Sequence, residues 1–148
     1  MTGSSLTGSS ERTTQLEESR NMGRPKILIA EDERDIRELI VFSLQLSDYD
    51  VTDVPNGAEA VKKAVEINPD LIMLDVRMPK MTGYEACIAL KQDERTREIP
   101  VVFLSARGQE AEIQEGTDAG AEEYLLKPFA PDELIERVTD ILKKYEKL

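Results

Sequence analysis

Five short apolar runs separated by segments with helical periodicity constrain this chain more than any other feature. The runs are Ile27-Leu28-Ile29-Ala30, Val51 to Val54, Leu71-Ile72-Met73-Leu74, Val101-Val102-Phe103-Leu104 and Tyr124-Leu125-Leu126. Between and after them, residues 34–46, 57–67, 83–92, 109–117 and 132–145 place apolar side chains three and four positions apart. That spacing lines one face of a helix. The last segment is the clearest case, with Leu134, Ile135, Val138, Ile141, Leu142 and Tyr145, and residues 109–117 are the weakest, with Ile113 as their single large apolar residue. Strict alternation of strand and helix predicts a parallel sheet covered by helices on both faces.

Runs one, three, four and five are nearly free of polar residues, which predicts strands buried on both faces. The second, Asp50-Val51-Thr52-Asp53-Val54, alternates polar with apolar and belongs at an edge. An edge position for strand 2 fits the order 2-1-3-4-5 of doubly wound, flavodoxin-like sheets. That order is matched to a known fold class and does not follow from the pattern alone. Pro131, with Asp132 and Glu133 behind it, suits the first turn of the last helix. Ala130, at the expected cap position, is a poor cap.

Residues 1–23 are rich in Ser, Thr, Gly and Glu, with Leu6, Leu16 and Met22 as their apolar residues past Met1. They read as a disordered tail that cannot offset its ordering entropy by burial, leaving residues 24–148 as one domain. No stretch approaches the roughly 20 apolar residues of a membrane span, and the N-terminus lacks the apolar core of a secretory signal. The expectation is a cytoplasmic protein without membrane insertion.

The chain has no histidine and one cysteine, Cys87, which sits on the apolar stripe of its helix and reads as packing. Zinc sites of the Cys/His type and histidine-based triads are therefore excluded. A formal net charge of -11 argues against direct binding to nucleic acid phosphates.

Parallel α/β sheets bind ligands outside the carboxyl ends of their strands. There the sequence places Glu31-Asp32 after strand 1, Asp75 after strand 3, Ser105 after strand 4 and Lys127-Pro128 after strand 5. Strand 2 ends in Val54-Pro55, with nothing reactive. Like charges about 4 Å apart repel by roughly 4 kcal/mol at an effective dielectric near 20, so a carboxylate cluster calls for a cation. Mg²⁺ suits all-oxygen ligands. With Lys127 as a fixed positive charge and the Ser105 hydroxyl as a donor, the edge looks built for a phosphoryl group. A carboxylate can be the nucleophile in such chemistry.

Four stretches carry a resemblance: Ile27-Leu28-Ile29-Ala30-Glu31-Asp32-Glu33, Leu74-Asp75-Val76-Arg77-Met78-Pro79-Lys80-Met81-Thr82-Gly83, Phe103-Leu104-Ser105-Ala106 and Tyr124-Leu125-Leu126-Lys127-Pro128-Phe129. With them the chain from Lys26 to about Tyr145 resembles the receiver domain of two-component response regulators. The resemblance implies that Asp75 is the phosphoacceptor. It implies that Glu31, Asp32, Asp75 and the backbone carbonyl of Arg77 hold Mg²⁺. Ser105 becomes the switch hydroxyl, Lys127 the lysine paired with the phosphoryl group, and Tyr124 an aromatic that turns inward on activation. Lys127-Pro128 is expected to be cis.

Partners implied by the resemblance are a sensor histidine kinase or phosphotransfer protein as donor and a downstream protein. The downstream protein would be bound through a switched surface of helix 4, strand 5 and helix 5, and a phosphorylation-dependent homodimer is a further partner the resemblance implies. The resemblance implies a signalling phosphoacceptor, here a single-domain regulator, with a phosphorelay intermediate as the alternative. The acidic pair is Glu-Asp where Asp-Asp is commoner. Arg77 and Arg107 lie two residues past Asp75 and Ser105, and two cations there are expected to slow hydrolysis of the acyl phosphate. Rival readings lack their signatures. A dinucleotide enzyme needs Gly-x-Gly-x-x-Gly after strand 1, and a haloacid-dehalogenase-type phosphatase needs a second Asp where Arg77 stands.

Overall fold

The computed structural model describes residues 23–78, 80–106 and 110–148. The expected tail of residues 1–23 lies, apart from Gly23, outside them. Five strands, β1 (Lys26–Ala30), β2 (Asp50–Val54), β3 (Leu71–Asp75), β4 (Val101–Ser105) and β5 (Glu123–Leu126), alternate with five helices, α1 (Arg34–Leu46), α2 (Gly57–Ile67), α3 (Gly83–Gln92), α4 (Glu110–Asp118) and α5 (Pro131–Lys144). All strand pairs are parallel, in the order β2-β1-β3-β4-β5. Among the described residues no helix is long and apolar enough to cross a membrane.

Side chains alternate across a strand, so each apolar run feeds two cores at once. Leu28, Ala30, Ile72, Leu74, Val101 and Phe103 pack with Ala60, Ala64, Ala86, Cys87 and Leu90 of α2 and α3. Ile27, Ile29, Leu71, Met73, Val102 and Leu104 pack on the opposite face with Ile40 and Leu44 of α1 and with Leu134, Val138, Ile141 and Leu142 of α5. The small residues Ala60, Ala64 and Ala86 let α2 and α3 lie close to the sheet. Cys87 is fully buried, and burial pushes its thiol up to about 11, in keeping with a packing role.

One expectation needs correcting: the fifth run, expected to be buried on both faces, forms β5, which holds the edge position of the expected order and is half-buried at Glu123 and Tyr124 and 44% exposed at Leu126. A three-residue apolar run is too short to separate an edge strand from a central one. The Arg137 guanidinium of α5 donates to the Tyr124 carbonyl (3.0 Å) and the Glu123 carboxylate (2.8 Å), so a cation ties down part of this edge.

The helix starts differ in quality. Asn56 caps α2 by accepting from the Glu59 amide at 2.9 Å. Thr82 and Glu85 form a reciprocal capping box at α3, with contacts of 3.1 and 2.9 Å. Ala130 caps α5 with extended backbone (ψ 148°) and no side-chain hydrogen bond. Ala130 is exposed, and Glu133 stands three residues on. Ala130→Ser should complete a capping box and raise unfolding free energy by about 1 kcal/mol, measured as a higher urea midpoint at unchanged slope.

Candidate functional site

Strand register delivers the chemistry-bearing residues to one edge. Ala30 pairs with Leu74, Asp75 with Leu104 and Ser105 with Leu126. Glu31 and Asp75 therefore leave adjacent strands side by side, with Ser105 and Lys127 a residue or two further along. Two glycines permit the close packing behind them. A Cβ on Gly83 would collide with the carbonyl oxygen of Asp75, and one on Gly57 would stand 2.7 Å from that of Met81. The Gly83 amide donates to the Val76 carbonyl at 2.9 Å, folding the β3–α3 connection back over the end of β3.

Carboxylate oxygens of Glu31, Asp32 and Asp75 lie within 4.8 Å of one another. Glu31 is 0% and Asp75 5% exposed, whereas Asp32 faces solvent. Lys127 Nζ lies 2.8 Å from Glu31 Oε1, 3.4 Å from Asp75 Oδ2 and 3.9 Å from Glu33 Oε1. Among the described residues, this buried Glu31 Oε1 has Lys127 as its ion-pair partner and no placed hydrogen-bond donor. The other oxygen, Oε2, accepts from the Glu33 amide at 3.2 Å, and Asp75 Oδ1 accepts from the Arg77 amide at 3.3 Å. A cavity of about 430 Å³ opens over Asp75, lined by Asp32, Glu33, Asp75, Arg77, Ser105, Ala106 and Lys127.

The electrostatics are unbalanced. Burial, then a shared hydrogen bond with Glu31 and repulsion from its charge, push the Asp75 carboxyl up to about 7 against the pull of Lys127. Burial works against charge on Lys127, but Glu31 and Asp75 outweigh it and hold the ammonium above its ordinary pKa. One ammonium thus serves two buried carboxylates, with Asp32 beside them. An all-oxygen donor set with an under-satisfied buried oxygen fits a hard divalent cation such as Mg²⁺.

Of the expected site residues, Glu31, Asp32, Asp75, Ser105, Lys127 and the Arg77 backbone come together. Tyr124 does not line the Asp75 cavity. Its ring meets Phe103 edge-on at 6.1 Å, and Phe103 meets Tyr84 at 5.1 Å, so an aromatic row crosses β4 two residues from Ser105. Gly116 of α4 is the seat for this row, since a Cβ there would stand 2.9 Å from Phe103. The Arg77 side chain is exposed at the cavity rim, and Arg107 lies outside the described residues. The Lys127-Pro128 bond is cis, as expected. Sequence reasoning missed Arg37, which donates to the Glu31 carbonyl at 2.7 Å. It lies six positions away on another element, and no periodicity marks such a pair.

The family model for the response regulator receiver domain matches residues 27–139. The DNA-binding dual master transcriptional regulator RpaA of Synechocystis is 40% identical over 124 residues, covering 84% of this chain and 52% of that protein. The alkaline phosphatase synthesis transcriptional regulatory protein PhoP of Bacillus subtilis is 41% identical over 121 residues, covering 82% and 50%. The chain spans about half the length of the curated relatives it matches. Among solved structures, the chemotaxis protein CheY4 of Vibrio cholerae superposes with a TM-score of 0.78 at 33% identity, over 80% of this chain and 99% of that one. The receiver domain of a sensor histidine kinase from Pseudomonas aeruginosa, with a magnesium ion coordinated in its active site cleft, gives 0.73 at 30% identity, over 82% and 97%.

The raised Asp75 pKa has a signed consequence. The folded state holds this proton more tightly than the unfolded chain, so the native state binds more protons between pH 4 and 7. Its contribution to stability is full below pH 4 and is lost as pH rises through about 7. The slope is at most about 1.4 kcal/mol per pH unit. Urea unfolding of the metal-free protein should show this decline, and Asp75→Asn should flatten it.

Proposed function

The chain belongs to the family of response regulator receiver domains, and on that premise we propose that Asp75 accepts a phosphoryl group and passes the event to a protein-binding surface. Receiver domains are signalling phosphoacceptors that work with histidine kinases and phosphotransfer proteins, and in this reading the unit is residues 24–148. The observation that carries it is the position of Asp75. It lies 95% shielded from solvent beneath an open cavity, 3.4 Å from the Lys127 ammonium and beside two further carboxylates.

In the proposed reaction, an Asp75 carboxylate oxygen bonds to phosphorus as the bond from phosphorus to the donor's imidazole nitrogen breaks. The electron pair departs with that nitrogen. Glu31, Asp32, Asp75 and the Arg77 carbonyl would hold Mg²⁺, which, when bound, neutralises charge on the transferring oxygens. Lys127 transfers part of its pairing from the carboxylates to a phosphoryl oxygen, and Ser105 donates its hydroxyl to another. Next to the cleft, Ile36, Leu39, Ala106, Pro128 and Phe129 line an apolar hollow of about 330 Å³ that shares Glu33 and Lys127 with it, a footing for the donor protein.

Output follows from Ser105. Pulling its hydroxyl toward the phosphoryl group shifts the end of β4 and frees space for Tyr124, whose ring sits against Phe103 and α4. Reversing a two-state population from about 1:99 to 99:1 takes roughly 5.5 kcal/mol of preference, within reach of several charge-assisted contacts. The reader of the α4, β5 and α5 face is a protein surface, consistent with a net charge of -11 that disfavours nucleic acid.

Incubation with acetyl phosphate and Mg²⁺ should give an intact-mass adduct of one phosphoryl group. Asp75→Asn or EDTA should reduce it at least about tenfold, and Arg77→Ala should shorten the lifetime of the wild-type adduct if a cation at the rim shields it from water. An adduct that survives in Asp75→Asn would reject the assignment.

A further inference from the structure

Besides the Lys127 ion pair, three hydrogen bonds hold Glu31. Its amide donates to the Val54 carbonyl at 3.3 Å, its carboxylate accepts from Glu33, and its own carbonyl accepts from Arg37 Nη1 at 2.7 Å. The guanidinium that makes this last bond is aimed by Asp53 of β2, whose Oδ2 lies 3.1 Å from Arg37 Nε. Asp53 is 45% exposed, but the Arg37 side chain is only 20% exposed. One cation therefore joins the end of β1, the first turn of α1 and the end of β2.

The turn it closes carries Asp32. α1 starts at Glu33 without a side-chain cap, so the entry to the helix lacks the device that fixes α2 and α3. Instead, two bonds converge on Glu31 from the helix side, the Glu33 amide on its carboxylate and the Arg37 guanidinium on its carbonyl, and the Arg37 amide bonds to the Glu33 carbonyl at 2.9 Å.

We propose that Arg37, oriented by Asp53, is a positioning residue for the acidic pair: it clamps the Glu31–Glu33 turn so that the Glu31 and Asp32 carboxylates hold the geometry that binds a divalent cation. This rests on the metal reading given above and assigns the clamp to two residues outside the ligand set.

Calorimetric titration with Mg²⁺ tests it without phosphorylation. Arg37→Met keeps the length of the side chain and removes its charge and donors; it should weaken binding by about tenfold. Arg37→Lys, which retains a charge but not the fork that reaches both the Glu31 carbonyl and Asp53, should recover part of that loss. Asp53→Asn should show a smaller loss in the same direction. In the metal-free protein, the Glu33 amide should exchange with solvent faster in Arg37→Met than in wild type. Val138→Ala, a core truncation in α5 that removes none of the turn's hydrogen bonds, controls for destabilisation.

Unchanged Mg²⁺ affinity in Arg37→Met, or an equal loss in Val138→Ala, would overturn the clamp while leaving the site reading intact. A wild-type protein that does not bind Mg²⁺ would overturn both.

Discussion

Two carboxylates, Glu31 and Asp75, are buried against a single ammonium, Lys127, and much of the architecture exists to keep them there. Burying charge without full pairing is costly, and here it is held by what surrounds it. A parallel sheet in register carries both acids to the same edge, glycines at 57 and 83 allow the loop behind them to close, and two complete cores, one on each face of the sheet, supply the burial. Burial and the neighbouring Glu31 charge push the Asp75 carboxyl up, in keeping with that imbalance. A metal ion and a phosphoryl group are the additions that would redistribute charge among these residues. The metal would satisfy the carboxylates, and the phosphoryl group would give Lys127 and Ser105 a new partner.

The same constraint explains how a local event reaches the surface. Ser105 and Phe103 lie two residues apart on β4 and therefore share one face of the sheet. Tyr84, Phe103 and Tyr124 form a contiguous aromatic row, with Gly116 admitting α4 against it. In the proposed switch, a displacement of Ser105 would therefore reach the packed rings and, through them, a helix. α4 has little apolar side chain of its own to hold it, and Arg137 ties down β5 through Glu123 and the Tyr124 carbonyl. A weakly anchored helix beside a pinned strand is where a surface can change at small cost.

Much of this was legible in the chain because it depends on local pattern. Period-two and period-3.6 apolar spacing located all ten elements, with α4 and α5 shifted by a residue. The rule that parallel sheets act at strand ends picked out Glu31, Asp32, Asp75, Ser105 and Lys127. What was not legible depends on tertiary geometry. That Leu126 is exposed follows from β5 being outermost, which three apolar residues cannot encode. That Arg37 grips Glu31, and that Gly57 and Gly83 touch carbonyl oxygens in other segments, depends on how the turns are packed. The Thr82–Glu85 capping box was readable from its spacing and was overlooked beside the Asp75 motif.

Family relatives of about twice the length share this unit, and the charge cluster is the part on which every use of it depends. Calorimetric Mg²⁺ binding across pH 5.5 to 8, in two buffers of different ionisation enthalpy, tests that cluster most directly, because it counts the protons the metal displaces. If Asp75 titrates near 7 among unbalanced carboxylates, affinity should fall as pH drops below that value, by up to about tenfold per unit. Binding near pH 6 should release close to one proton, and Asp75→Asn should release none. Affinity independent of pH, with no proton release, would show that Glu31, Asp75 and Lys127 are already in balance and would contradict the account.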